Sequence, residues 1–293
     1  ADGVARPLVV TGPTLNRLGA AKGLLAALEE AGLTATVFSR VDNDPTLANV
    51  EDAYVCYREN RCDGIIAFGG GSPMDCAKLC GARVARPKKS VEQMRGVLRV
   101  RKALPPLYAV PTTAGTGSEV TLAAMVSDEN HRKFMVGDLA LIPRVAVLDS
   151  ILTRGMPRSV TAASGMDALS HAVEAYIGRS NTARTKTCAA KAARLIFCAL
   201  PKACRNGENM EARADMQQAA YLAGLAITRA NVGYVHAVAH AVGGRYGLPH
   251  GLACGVAMPA VLRAYGSAAY QPLAELADIT GIAETASQTG SER

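Results

Sequence analysis

Three of the chain's five histidines, His236, His240 and His250, stand in one short stretch, and His171 follows Asp167 at i+4. His240 likewise follows His236 at i+4. Such pairs project from one side of a helix. Two paired helices, with His250 on the turn after the second, can therefore converge on one cation. Neutral imidazoles with one carboxylate suit a first-row divalent metal. A lone buried histidine is ordinarily a satisfied core residue, but four grouped in a histidine-poor chain argue against that reading for the set.

A second chemistry sits in the first half. Gly69-Gly70-Gly71-Ser72-Pro73-Met74-Asp75 follows an apolar run and opens a helical pattern. Glycines let the backbone approach a ligand closely, and helix-terminal amides favour a phosphate. The segment is not G-x-G-x-x-G, and by itself it reads equally well as a tight strand-to-helix turn. Pro111-Thr112-Thr113-Ala114-Gly115-Thr116-Gly117-Ser118-Glu119 follows another apolar run with four hydroxyls and two glycines. Alone it is equally a Ser/Thr loop satisfying its own backbone. Two such loops at strand ends of an α/β sheet favour a dinucleotide.

These residues need elements to hold them. Residues 7–11, 35–38, 64–68, 107–110 and 145–148 read as strands. Residues 15–31, 46–61 and 72–85 read as helices, with Thr14 capping the first, Gly32 stopping it and Pro73 in the first turn of the third. The alternation predicts a mostly parallel sheet covered on both faces. From residue 162 to 286 the pattern is helical, alanine-rich and almost free of strand signal. The fold expected is thus α/β plus all-α: an α/β domain over 1–157 and an all-helical domain over 158–293 that carries the whole histidine group.

The chain has 293 residues, 49% of them hydrophobic, enough for two cores. Its net charge is +7 with a pI near 9.0. The densest basic stretch, Arg83 to Lys102, contains no aromatic residue, so it lacks a stacking platform for bases; a solvated surface segment is expected, not a nucleic-acid site. None of the eight cysteines forms a C-x-x-C pair. A zinc–thiolate or redox motif is not supported by spacing, and reduced, buried thiols in a cytoplasmic protein are expected. No apolar run is long enough for a membrane span, and no signal peptide is read at the start.

Four segments occur in order: Gly69-Gly70-Gly71-Ser72-Pro73-x-Asp75-x-x-Lys78, Pro111 to Val120, Gly165-x-Asp167-Ala168-Leu169-x-His171-Ala172-x-Glu174, and His236-x3-His240 leading to Pro249-His250-Gly251. With them the chain resembles the iron-containing alcohol dehydrogenase family, from about residue 7 to about residue 280. The resemblance implies a Rossmann-like parallel-sheet nucleotide domain and a helical metal domain, the dehydroquinate synthase-like arrangement, with the active site in the cleft between them. It implies Asp167, His171, His236 and His250 as metal ligands, Fe²⁺ as the cation with Zn²⁺ or Mn²⁺ as alternatives, and His240 in a proton relay near the nicotinamide. Its nucleotide contacts fall on Gly70, Gly71, Ser72, Thr112, Thr113, Thr116 and Lys133, and on Val126 and Leu152.

The activity implied is hydride transfer between a small alcohol, or its aldehyde or ketone, and NAD or NADP, in a homodimer. Family members that use NAD carry an aspartate at the end of the first strand, where this chain has Gly12. Without that carboxylate a 2′-phosphate meets no repulsion, so NADP is expected to be accepted. Family members also run further than Arg293, so the metal domain is expected to be C-terminally shortened. The alternative within the superfamily is a glycerol dehydrogenase, a maleylacetate reductase or a dehydroquinate synthase-like lyase; the histidine spacing favours the alcohol dehydrogenases. A non-catalytic assembly protein of this fold is the alternative from another class. Tyr176, Tyr234 and Met258 are read as equally cleft-lining or core.

Overall fold

A computed structural model describes residues 3–130 and 132–282. The chain divides into two compact units. The first runs to Thr112 and resumes over Ser118–Leu152; the second comprises Thr113–Gly117 and the chain from Thr153 on.

In the first unit the chain alternates as β1 (Pro7–Val10), α1 (Pro13–Arg17), α2 (Lys22–Glu30), β2 (Thr36–Phe38), α3 (Leu47–Glu59), β3 (Gly64–Gly69) and α4 (Gly71–Ala85). It continues through β4 (Gly96–Val97), β5 (Leu107–Pro111), β6 (Ala123–Ser127), β7 (Lys133–Gly137) and β8 (Val145–Ala146). Five strands form one parallel sheet in the order β2-β1-β3-β5-β8. Successive residues face opposite sides, as the strand period requires. Leu8, Val10, Ile65 and Ala67 pack into a core with α3 and α4 residues, while Val9, Ile66 and Phe68 pack on the other side with Ala21, Leu24 and Leu28 of the α1–α2 region. Both faces are covered, so the strands read as unbroken apolar runs.

The structure departs from the sequence reading in three places. The single helix expected over 15–31 is two. It breaks at Gly19, whose φ of +66° is a left-handed conformation that glycine adopts without steric cost, and Gly12, not Thr14, caps the first piece, with Pro13 in its first turn. A small sheet in the order β4-β7-β6 was not anticipated; β6 and β7 pair antiparallel. The basic stretch from Arg83 to Lys102 is anchored, not merely solvated. Arg83 forms a forked pair with Glu51 and donates to the carbonyls of Arg86, Pro87 and Lys89, Arg86 donates to those of Val100 and Arg101, and Val91, Met94 and Val100 are buried beneath.

The second unit is helical among its described residues: α5 (Arg158–Ile177), α6 (Ala183–Arg205), α7 (Met210–Ala230), α8 (Tyr234–Tyr246), α9 (His250–Tyr265) and α10 (Ser267–Thr280). Thr182 and Thr185 form a reciprocal cap at the start of α6, and the Asn209 side chain caps α7. α5, α6 and α7 pack together on a core made largely of alanines, among them Ala168, Ala172, Ala189, Ala192, Ala193, Ala219, Ala220 and Ala223. No helix among the described residues is long and apolar enough to cross a membrane.

Candidate metal centre and nucleotide loops

Asp167 and His171 lie on α5, buried at 3% and 6% exposure, one turn apart on the same side. His236 lies in the first turn of α8 and is buried at 2%; His250 is the first residue of α9. Around Asp167 Oδ1 the imidazole Nε2 atoms stand at 3.4 Å (His250), 3.5 Å (His236) and 3.8 Å (His171). The His171 and His236 rings stack at 4.5 Å, and those of His240 and His250 at 4.7 Å. The expected four residues are therefore brought together within one unit, with His240 beside His250.

Two further residues enter the cluster that the sequence reading left out. Glu174, buried at 3%, accepts a 2.7 Å bond from the Val235 amide through Oε1 and lies 2.5 Å from His236 Nδ1 through Oε2. It continues the Asp167–His171 face at i+7, a spacing visible in the sequence. Cys254, fully buried one turn after His250, places Sγ 3.7 Å from His250 Nε2 and 3.8 Å from Asp167 Oδ1. One donor atom each from Asp167, His236, His250 and Cys254 all fall within 4.8 Å of one another.

The electrostatics fit a cation. Burial alone would raise the Asp167 carboxyl, yet the imidazoles of His171, His236 and His250 hold it far below the usual carboxylate range. Burial pulls His171 down to about 4 against the attraction of Asp167. Burial also works against a charged His236, but Asp167, Cys254 and Glu174 outweigh it and push that group up to about 12. Glu174 engages the His236 ring at Nδ1, and His236 Nε2 and His171 Nδ1 are buried with no hydrogen-bond partner. A buried nitrogen facing a carboxylate without a hydrogen bond is costly unless something else occupies it. A divalent ion fits that donor set.

In the first unit, Gly70 and Gly71 open α4 at the end of β3. Ser72 Oγ donates to the Asn43 carbonyl at 2.5 Å, and Lys133 pairs with the adjacent Asp44 at 3.0 Å, so Ser72 and Lys133 are tied to one segment. Thr112 is buried and donates its amide to Gly69 at 2.9 Å. Thr113 and Thr116 lie in the segment that groups with the helical unit. Val126 is fully buried within the sheet core, and Leu152 packs on the opposite face with Phe68 and Val110. Below the loops, fully buried Lys78 donates to Ser118 Oγ, Thr121 Oγ1 and the carbonyls of Thr121 and Ala123, while Asp75 accepts from Ser118 Oγ and the Met125 amide. Tyr176 is a core residue, Met258 is half-buried against the same core, and Tyr234 is exposed.

Comparison with known proteins bears on both halves. A family model described as iron-containing alcohol dehydrogenase matches residues 1–150, and one described as the C-terminal part of that family matches residues 161–293. A 1,3-propanediol dehydrogenase of Klebsiella pneumoniae is 40% identical over 95% of this chain and 73% of its own length. An alcohol dehydrogenase from Oenococcus oeni superposes with a TM-score of 0.95 at 37% identity, over 99% of this chain and 76% of that one. A sulfoacetaldehyde reductase from Bifidobacterium kashiwanohense, solved in complex with NAD+, gives 0.87 at 33% identity, over 95% and 74%. Fold and relatives together define a metal-dependent oxidoreductase that moves hydride between an alcohol and a nicotinamide cofactor. This chain belongs to the iron-containing alcohol dehydrogenase family.

Proposed function

We propose that Asp167, His171, His236 and His250 hold a divalent cation, Fe²⁺ in the first instance with Zn²⁺ or Mn²⁺ as substitutes, and that the chain oxidises small alcohols and reduces the matching aldehydes. The unpartnered, buried Nε2 of His236, 3.5 Å from Asp167 Oδ1, is the observation that carries this reading. When bound, the cation supplies a Lewis acid for the substrate oxygen. Glu174 holds the His236 ring with Nε2 turned to the centre, and His240, stacked on His250, takes the hydroxyl proton on oxidation and returns it on reduction. Gly70, Gly71, Ser72, Thr112, Thr113, Thr116 and Lys133, with Val126 and Leu152, seat the dinucleotide, whose C4 carries the hydride. The name of the Klebsiella relative supports a short diol such as 1,3-propanediol as substrate.

Gly12, the residue after Thr11 at the end of β1, leaves no carboxylate to repel a 2′-phosphate, so NADP serves alongside NAD. The eight free cysteines suit a reducing cytoplasm, and the family resemblance supports a homodimer.

The test is nicotinamide absorbance with short alcohols and aldehydes, run beside elemental analysis. His236→Ala loses metal and turnover together, and NADP supports turnover with a KM comparable to that of NAD. Full activity of the metal-free variant overturns the metal reading, and strict NAD preference overturns the reading of Gly12.

A further inference from the structure

We propose that Cys254 donates a thiolate to the cation, which turns the centre towards zinc. The inference rests on the reading that Asp167 and the imidazoles hold a divalent ion, and adds a donor to it.

Geometry argues for the sulfur. A five-coordinate ion with ordinary bond lengths keeps neighbouring nitrogen and oxygen donors about 2.9–3.6 Å apart, and keeps a sulfur about 3.1–3.8 Å from either. The distances from Asp167 Oδ1 to His250 Nε2 and His236 Nε2 are 3.4 and 3.5 Å. Those from Cys254 Sγ to His250 Nε2 and Asp167 Oδ1 are 3.7 and 3.8 Å. Both pairs lie near the spacing that co-ligands keep.

The sulfur is not alone in pointing there. His236, buried at 2%, aims an unpartnered Nε2 into the same space. Cys254 itself is fully buried, one helical turn after His250, so both side chains leave α9 on one side. Coordination replaces the S–H bond with an S–metal bond, and the proton leaves to solvent. Thiolate is a soft donor and favours zinc over the oxygen-and-nitrogen preference of ferrous iron.

The test uses the full chain, stripped with chelator and reloaded with Co²⁺. The expected result is a thiolate-to-cobalt charge-transfer band in the near ultraviolet, on top of the visible ligand-field bands. Cys254→Ser and Cys254→Ala remove the charge-transfer band and keep the visible ones. Competition between Zn²⁺ and Fe²⁺ shifts towards iron by about tenfold or more in either variant, a change of selectivity that loss of an outer hydrogen bond would not produce. Visible bands without a charge-transfer band in the unaltered protein overturn the thiolate and leave the Asp167–histidine centre standing. A charge-transfer band that survives in Cys254→Ala assigns the sulfur elsewhere and also overturns it. Failure to bind cobalt at all overturns the underlying reading of the centre.

Discussion

Glu174 touches no donor position of the centre, yet it decides which nitrogen of His236 faces it. Its two oxygens are taken by the Val235 amide and His236 Nδ1, so the ring is fixed in tilt and in tautomer. Glu174→Gln keeps the size and weakens the bond. It is expected to lower metal affinity by about 10- to 100-fold, read by chelator competition, with little change in helix content. Glu119 makes a different prediction. Burial raises its carboxyl from 4.5 to about 7, against the pull of its own amide and of Lys78. The folded chain then holds a proton there that the unfolded chain has released. The stability this contributes is complete below the unfolded value and disappears as pH rises through about 7. Urea midpoints of the unaltered protein should therefore fall between pH 5 and 7 relative to those of Glu119→Gln; parallel curves would remove the group from the account. Helical spacing pairs Asp167 with His171 and His236 with His240, but the choice of His250 over His240 beside Asp167 came from the family resemblance and not from periodicity. Cys254 was not legible, because a search for paired cysteines passes over a single thiol one turn from a histidine.

At the scale of elements, the seating of α9 against α5 rests on backbone contact. A Cβ on Gly251 would come within 1.9 Å of the Ala163 carbonyl oxygen, one turn before Asp167. Nothing flexible can yield there, so Gly251→Ala must displace α9 and carry His250 with it. We expect a loss of about 1–3 kcal/mol in stability and a drop in metal retention, measured by denaturant unfolding and elemental analysis. Retention of both would mean that the helices adjust elsewhere. Strands β1, β3 and β5 were readable as apolar runs because both faces of the sheet are covered. The β4-β7-β6 sheet was not: β6 and β7 are a local antiparallel pair that a search for long apolar runs passes over, and β4 is two residues whose partner lies far along the chain. The break between α1 and α2 was hidden by residues with good helix propensity on both sides of Gly19.

Across the whole molecule, the two units have separate cores, and Thr113 and Thr116, proposed for the nucleotide, belong to the helical one. Every proposed metal donor lies in the helical unit, and β3, α4 and Lys133 lie in the other. Saturating metal at 100 times its dissociation constant stabilises the unit that binds it by about 2.7 kcal/mol. Adding metal after chelation should therefore slow amide exchange in α5, α8 and α9, and a nicotinamide nucleotide should slow it around the start of α4. Protection by metal confined to the sheet would contradict the assignment of donors. The change of character along the sequence, from alternating runs to alanine-rich helices, suggested a boundary at 157/158, whereas the units divide at Leu152/Thr153 and Thr113–Gly117 groups with the helices, which no composition shift marks.

The alanine seam joining α5, α6 and α7 carries one more implication. A methyl group has no rotamer to switch, so this interface cannot absorb an enlarged residue by reshuffling its neighbours as a leucine seam would. The helix that bears Asp167 must shift bodily instead. Mutational drift deep in the bundle, at positions such as Ala192 or Ala220, is thereby transmitted to Asp167, and the proposed centre constrains residues that never meet the substrate.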